Sequence, residues 1–280
     1  MLLIIEALLL ISAVQDQRHA ADGQILPLDM AENSVDDQFY LWYNWCAKKM
    51  ERRVQTEFLK KEMTDTNFAT VWRNAENNHK PPGDHLSKNH SVAIYTYTNS
   101  DFTLYQKFNN DVRTGKQKYK DGTYSWYSLH FWLTEAIQIL KKTQNNCYNT
   151  YRCTDKEFDK NVKGKEVRFG QFASSSLDRS VAQKFGTKSC FEIYTCSGAD
   201  LTKYSRFPNE KEVLIPPYET FTVRDVKTGA EQKYRWCDTV FTLKSYTTRS
   251  DLNCAASSGN QVAFLNALLI LIVFCSVVSY

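Results

Sequence analysis

The chain is poor in glycine and proline. Ten Gly and six Pro in 280 residues exclude collagen-like and low-complexity chains. There is no C-x-x-C pair and there are only five His, which argues against a zinc site. No basic block is present, with 35 Lys and Arg standing against 31 Asp and Glu, so nucleic acid is not an expected partner. No internal stretch reaches the ~18 apolar residues of a spanning helix, which excludes a polytopic membrane protein. What the chain has in abundance is aromatic surface: 16 Tyr, 16 Phe and 6 Trp exclude intrinsic disorder.

The apolar residues gather at the two ends. Residues 2–14 read as the core of a secretory signal peptide cut between Ala13 and about Ala21, although Glu6 interrupts the run and no Lys or Arg precedes it. An N-terminal core helix is the alternative. Val262–Tyr280 is apolar apart from a few small polar residues, and no Lys or Arg follows it. With the small polar residues ahead of it, this end matches a glycosylphosphatidylinositol attachment signal with Asn253 as the attachment site. A tail-anchored helix is the alternative there. The expected organisation is a signal peptide over 1–20, one domain over 21–253 and a discarded propeptide over 254–280. On that cut, Cys46, Cys147, Cys153, Cys190, Cys196 and Cys237 remain of eight cysteines. An even set suits disulfides in an oxidising compartment, and spacing leaves the pairing open. Asn89-His90-Ser91 is an N-glycosylation sequon in a polar stretch expected to be a loop. These signals point to the outer cell surface or the secretory lumen.

Between the ends the periodicity changes once. Gln38–Met63, Asn67–Glu76 and Ser128–Leu140 carry apolar residues at helical spacing, and Ser91–Thr98 fits helix or strand equally. After Asn145 come short β-branched and aromatic runs: 150–153, 166–172, 190–195, 212–215, 220–226 and 239–247. A short helix over Arg179–Phe185, capped by Ser176 or Asp178 and stopped by Gly186, sits among them. Helices first and strands later predict an α+β fold, a helical N-terminal lobe followed by a mixed β-sheet core.

Three segments offer chemistry. Arg152 lies in a short strand, where an arginine is ordinarily a solvated charge or an ion-pair partner. Ser174-Ser175-Ser176 ends a strand before a helix, and a helix cap with a turn accounts for it equally well. Glu210 and Glu212 precede an apolar strand at i, i+2. With 14 Glu in the chain, about one such pair arises by chance, so spacing alone decides nothing. If Glu212 opens a strand, both carboxylates project to one side. Two carboxylates beside an arginine and a serine suit sugar transfer from a charged leaving group. One steadies an oxocarbenium-like centre while the other orients or deprotonates the nucleophile.

The ordered motifs resemble the arginine-specific ecto-ADP-ribosyltransferases, with their Arg–Ser–Glu-x-Glu signature. The resemblance runs through Asp36-Asp37-Gln38, Cys46 with Met50, and Asn67-Phe68-Ala69 with Trp72. It continues through Ala93-Ile94-Tyr95-Thr96-Tyr97-Thr98, Tyr105 with Phe108-Asn109, and Leu129 to Thr134. It closes on Val167-Arg168-Phe169-Gly170 and Glu210 to Pro216. It implies that Arg152 contacts the dinucleotide phosphates and that Ser174 supports the nicotinamide-ribose end and bonds the catalytic glutamate. Glu212 would be that glutamate, bound to the ribose 2′-hydroxyl, and Glu210 would position and help deprotonate the acceptor guanidinium. Phe185 would pack against nicotinamide. The resemblance further implies bridges Cys46–Cys237 and Cys147–Cys196, with Cys153–Cys190 as an extra pair, Cys153 standing where many relatives have glycine.

The function implied is mono-ADP-ribosyl transfer from NAD to protein arginine, with nicotinamide released. NAD is then a consumed substrate, and no bound cofactor or metal is expected. Partners would be NAD, arginine-bearing proteins and the outer membrane leaflet, for a monomer that binds no nucleic acid. An NAD glycohydrolase and a catalytically silent surface-binding ectodomain are the alternatives.

Overall fold

The computed structural model describes residues 25–39, 44–99, 102–232 and 235–252. The expected signal peptide, the attachment site Asn253 and the propeptide 254–280 lie outside the described residues. Helices come first, and an eight-stranded mixed sheet follows. The helices are α1 (Asn44–Arg53), α2 (Leu59–Glu62), α3 (Thr66–Asn78), α4 (Lys88–Asn99), α5 (Phe102–Thr114), α6 (Lys116–Lys120) and α7 (Tyr127–Gln144). A π-helical turn, Val54–Phe58, joins the first two. The segment that fitted helix or strand is helix α4. The sequon's Asn89 sits in that helix's first turn, half-buried, rather than in a loop.

Aromatic packing builds the helical lobe. Trp72 of α3 stacks on Trp132 of α7 at 5.3 Å, and Phe58 stacks on Tyr127 at 4.2 Å. Stacked pairs add roughly 0.5–1.5 kcal/mol beyond their area. Helix α7 starts at Tyr127 behind Trp126, which offers no side-chain cap. Glu62 from α2 supplies one across space, its two carboxylate oxygens accepting the Ser128 N–H at 3.2 and 3.3 Å.

Two short strands, β1 (Ile25–Leu26) and β3 (Glu157–Phe158), pair with each other. The main sheet runs in the order β4 (Glu166–Val167), β9 (Glu219–Thr228), β10 (Thr239–Thr248), β6 (Ser189–Thr195), β2 (Tyr148–Thr154), β5 (Ala173–Ser176), β8 (Glu212–Ile215) and β7 (Ala199–Asp200). Only β6 and β10 run parallel within it. The expected strand 166–172 is cut short to Glu166–Val167, where Arg168 leaves the sheet, and the next strand begins at Ala173. Leu214 joins the helical-lobe core, whereas Ile215 joins the core on the opposite side of the sheet. Strand β8 is therefore buried on both faces, as its continuous apolar run foretells.

Two distant motifs of the sequence meet at Arg168. Its guanidinium is fully buried and donates to Asp36 Oδ2 at 2.7 Å and to the carbonyls of Ala31 at 3.0 Å and Arg249 at 3.2 Å; it also donates to the Met30 carbonyl. Asp36 Oδ1 in turn accepts the Asp251 and Leu252 N–H groups. The clamp ties the N-terminal segment and the end of β10 to the sheet. Gly170 follows it at φ 65°, and a Cβ there would stand 2.2 Å from the Ala31 Cβ. Only glycine fits.

The disulfides correct two expectations. Cys147 pairs with Cys196 as expected, but Cys190 pairs with Cys237, and Cys153 is a buried free thiol. Neither Cys46–Cys237 nor Cys153–Cys190 forms; Cys46 is itself disulfide-bonded, to another partner. The reason is geometric. Cys190 stands directly across from Cys153 on β2, but also within disulfide reach of Cys237 ahead of β10, and spacing cannot rank the two. Burial pushes the Cys153 thiol up to about 12, with the neighbouring Arg152 charge opposing the shift.

Candidate active site

Strands β2, β5 and β8 are neighbours in the sheet, so residues 22 and 38 positions apart along the chain become adjacent. Arg152 lies on β2, Ser174 on β5 and Glu212 at the start of β8. The β5–β8 register sets Ser174 opposite Leu214 and Ser176 opposite Glu212. Residues two apart in a strand share a face, so Ser174 and Glu212 lie on one side of the sheet.

The three serines have different tasks. Ser175 Oγ donates to the Val213 carbonyl at 2.8 Å, and Ser176 Oγ donates to the Glu210 carbonyl at 2.7 Å. Both hydroxyl protons go to backbone, which leaves the Ser174 hydroxyl as the one of the three that acts on Glu212. Ser176 also accepts the Asp178 N–H at 3.0 Å, while Asp178 caps the next helix, α8 (Arg179–Ala182), through the Ser180 N–H at 2.9 Å. Arg152 Nη1 donates to the Ser174 carbonyl at 2.6 Å and so fixes the strand from the other side.

Glu212 is 6% exposed. Burial pushes its carboxyl up to about 7, while the Ser174 hydrogen bond pulls it down; Glu210 and Asp200 add to the rise and Arg152 opposes it. A carboxyl in that range is ionised in part at neutral pH and responds to small changes around it.

Glu210 reaches the site by another route than strand alternation. It ends a 3₁₀ turn, Pro208–Glu210, and Lys211 follows in the left-handed region at φ 47°. The turn is stapled by Ser176 Oγ to the Glu210 carbonyl and by the Leu177 N–H to the Lys211 carbonyl at 3.1 Å. Burial raises the Glu210 carboxyl too, opposed by the charge of Lys184. Lys184 and Phe185 close a 3₁₀ turn after α8. Phe185 is 38% exposed, an apolar ring open to solvent. Gly186 ends that turn at φ 136°, where a Cβ would lie 2.3 Å from the Thr154 carbonyl carbon. The structure thus gathers Arg152, Ser174, Glu212 and Glu210, and Phe185 follows Lys184, whose charge acts on Glu210.

The helical lobe contributes residues that the chemical reading of the sequence did not assign to the site. Tyr97 Oη from α4 lies 3.3 Å from Ser174 Oγ, and Asn109 Nδ2 from α5 donates to it at 3.3 Å. Both occur in stretches that carry the family resemblance, which is the signal that could have found them. Among the described residues no group of three metal-ligating side chains converges.

Residues 28–248 match the family model NAD:arginine ADP-ribosyltransferase. The chain is 37% identical over 255 residues to ecto-ADP-ribosyltransferase 5 of Rattus norvegicus, covering 85% of this chain and 78% of that protein. It is 33% identical over 279 residues to the GPI-linked NAD(P)(+)--arginine ADP-ribosyltransferase 1 of Oryctolagus cuniculus, covering 90% and 82%. Its fold is similar to the crystal structure of the eucaryotic mono-ADP-ribosyltransferase ART2.2, with a TM-score of 0.66 and 31% identity over 82% of this chain and 98% of that one. Two glutamate variants of that protein have been solved in complex with NADH and with NAD. A helical lobe on a mixed eight-stranded sheet, with an arginine, a serine and two glutamates on adjoining elements, thus has sequence and structural relatives alike, and the chain belongs to the NAD:arginine ADP-ribosyltransferase family.

Proposed function

We propose that this protein transfers ADP-ribose from NAD to arginine side chains of proteins at the outer cell surface. The observation that carries the proposal is the pairing of two carboxyls, Glu212 and Glu210, both raised by burial, on one rim with Ser174 and Arg152. The bond between ribose C1′ and the nicotinamide nitrogen breaks, and its electron pair leaves with nicotinamide. Ionised Glu212 stabilises the positive ribose and holds its 2′-hydroxyl. Arg152 braces the strand and presents further guanidinium N–H groups to the NAD phosphates. Phe185 gives nicotinamide an apolar wall.

The acceptor guanidinium is charged at any physiological pH and must lose a proton as it forms the new C–N bond. Glu210 takes that proton. Its raised proton affinity suits it to the task, and its place outside the strand lets a protein side chain reach it. Water in place of arginine would give NAD hydrolysis by the same first step. The ecto- and GPI-linked relatives and the disulfides support the cell-surface setting, with 21–253 as the mature chain and Asn89 as a glycan acceptor.

Labelled NAD with a soluble arginine mimic separates the two carboxylates. Glu212→Gln is expected to lower nicotinamide release about a hundredfold or more and to remove arginine labelling with it. Glu210→Gln is expected to remove labelling while nicotinamide release persists. Unchanged NAD cleavage in Glu212→Gln would overturn the assignment.

A further inference from the structure

Glu210 is reached by a segment that leaves the sheet. After β7 the Leu201 N–H donates to the Glu212 carbonyl at 2.8 Å, and the Leu201 carbonyl accepts the Tyr204 and Ser205 N–H groups at 2.8 Å. Leu201 and Tyr204 then bury themselves in the core of the helical lobe before the Pro208–Glu210 turn brings the chain back. Two bonds hold the segment on that lobe. Tyr204 Oη donates to Asp84 Oδ2 at 2.5 Å, and the Arg206 N–H donates to Thr98 Oγ1 of α4 at 3.0 Å. Lys203 Nζ donates to the same Asp84 oxygen at 2.9 Å.

The anchor is itself a constrained piece of chain. Asp84 lies in the connection 79–87 between α3 and α4. With His85 it forms the one pair of successive non-glycine residues in the left-handed region among the described residues, at φ 51° and 66°. Side chains rarely accept that backbone, and it persists only where the surroundings hold it. Here the Leu86 N–H donates to the Gly83 carbonyl at 2.8 Å, Ser91 Oγ to the Lys80 carbonyl at 2.5 Å, and the Ser87 N–H to His90 Nδ1 at 3.0 Å. Hydrogen bonds from Tyr204 first and Lys203 next hold the Asp84 carboxyl below its ordinary value, so it accepts as an ion. Burial first, then Asp84, holds the Tyr204 phenol above its own, so it keeps the proton it donates.

From Tyr204 the bonds run on to the turn. Ser205, next in the chain, is fully buried, and its Oγ accepts the Phe207 N–H at 3.0 Å. The Phe207 carbonyl accepts the Glu210 N–H at 3.0 Å. On its other side the Glu210 carbonyl is tied to Ser176 of β5. One end of the turn is thus fixed by the sheet and the other by the helical lobe, and none of these bonds involves the side chains of Arg152, Ser174 or Glu212. We propose that Asp84 and Tyr204 are positioning residues for arginine transfer: they hold the turn that aims Glu210 at the acceptor and leave the cleavage of NAD to other groups. This rests on the role given to Glu210 above.

The test gives labelled NAD to the full chain with and without agmatine, a soluble arginine mimic. Tyr204→Phe removes one oxygen and keeps the ring. It is expected to lower kcat/KM for agmatine about tenfold, as a small displacement of a positioned group does. Nicotinamide release without acceptor and the KM for NAD stay at their wild-type values. Asp84→Ala is expected to do the same, and Asp84→Asn, which still offers Tyr204 an oxygen, to regain part of the transfer. Combining Asp84→Ala with Tyr204→Phe is expected to add nothing to the larger single loss, because the two act through one bond. Wild-type transfer in Tyr204→Phe, an equal fall in nicotinamide release, no gain from Asp84→Asn over Asp84→Ala, or additive losses in the double variant each overturn the proposal. Should Asp84→Ala fail to fold, Tyr204→Phe carries the test by itself. Failure of the underlying reading has a separate signature: Glu210→Gln would then label agmatine at the wild-type rate.

Discussion

Arg168 follows a strand and Arg152 lies within one, each paired with a distant part of the chain, yet they do opposite work. Arg168 is fully buried and spends its donors on one carboxylate and three carbonyls. Arg152 is half-exposed and spends one N–H on the Ser174 carbonyl. Two glutamates repeat the contrast. Glu219 is buried with Thr195 and Ser245 hydroxyls and the Cys196 and Ser197 N–H groups all donating to it. Glu212 is buried with the Ser174 hydroxyl beside it. A charge whose hydrogen-bonding capacity is filled by its own chain is structure. A charge left with capacity on a rim is available to a substrate.

That contrast can be broken experimentally. The largest effect on stability is expected from Asp36→Ala, which leaves the Arg168 charge buried without its carboxylate. A loss of about 3–5 kcal/mol follows from breaking a buried pair, read by denaturant unfolding. The same variant should keep its nicotinamide release per folded molecule, whereas Arg152→Ala should lose release with little change in stability. Equal losses of stability in both would erase the distinction. Next comes Cys237→Ser. Opening the Cys190–Cys237 bridge is expected to cost about 2–4 kcal/mol and to leave Cys190 free to pair with Cys153 across the β2–β6 ladder. Peptide mapping under non-reducing conditions would find that new bridge.

The smallest effect is a slope in pH. Burial raises Glu62 from its ordinary 4.5 to about 8, against the Ser128 hydrogen bonds, and raises Glu212 to about 7. The fold holds these protons more tightly than the unfolded chain does. Their contribution to stability is therefore complete below 4.5 and is lost as pH rises through 7 to 8. His130 runs the other way. It is buried and neutral, giving Nε2–H to the Val35 carbonyl at 3.0 Å, and burial lowers it from 6.5 to about 4. Its contribution is lost as pH falls from 6.5 towards 4. Thermal unfolding across pH should thus weaken on both sides of the mildly acidic range. Glu62→Gln, which keeps a carbonyl for the Ser128 N–H, should flatten the alkaline side only in part, the remainder belonging to Glu212 and to Glu210 and Glu219, whose carboxyls burial raises too.

Much of the fold can be read from residue patterns, because helices and strands follow local periodicity. Helix α7, the strands 190–195 and 212–215, and the helix cap at Asp178 stand where apolar spacing, β-branched runs and a short polar side chain put them. Helix α5 carries the same mark: Leu104, Phe108 and Val112 stand four residues apart and all three are buried, Phe108 against Tyr97, Trp126 and Phe172. Strand alternation gave Glu210 and Glu212 a common side for the wrong reason, since a 3₁₀ turn and a left-handed Lys211 set Glu210 in place.

From composition and motifs alone came the class of fold, the family, the oxidising setting and the four polar residues proposed for the site. These depend on residue type and local order, which a sequence states outright. The strand order that makes Arg152, Ser174 and Glu212 neighbours was decided only in three dimensions, as was the choice of Cys237 over Cys153 as the partner of Cys190. So was the burial that lifts Glu212 to about 7 and the hydrogen bond that ties Tyr204 to Asp84. Each of these depends on which distant groups share a place, and dielectric environment, disulfide reach and hydrogen-bond direction are properties of that place rather than of any residue.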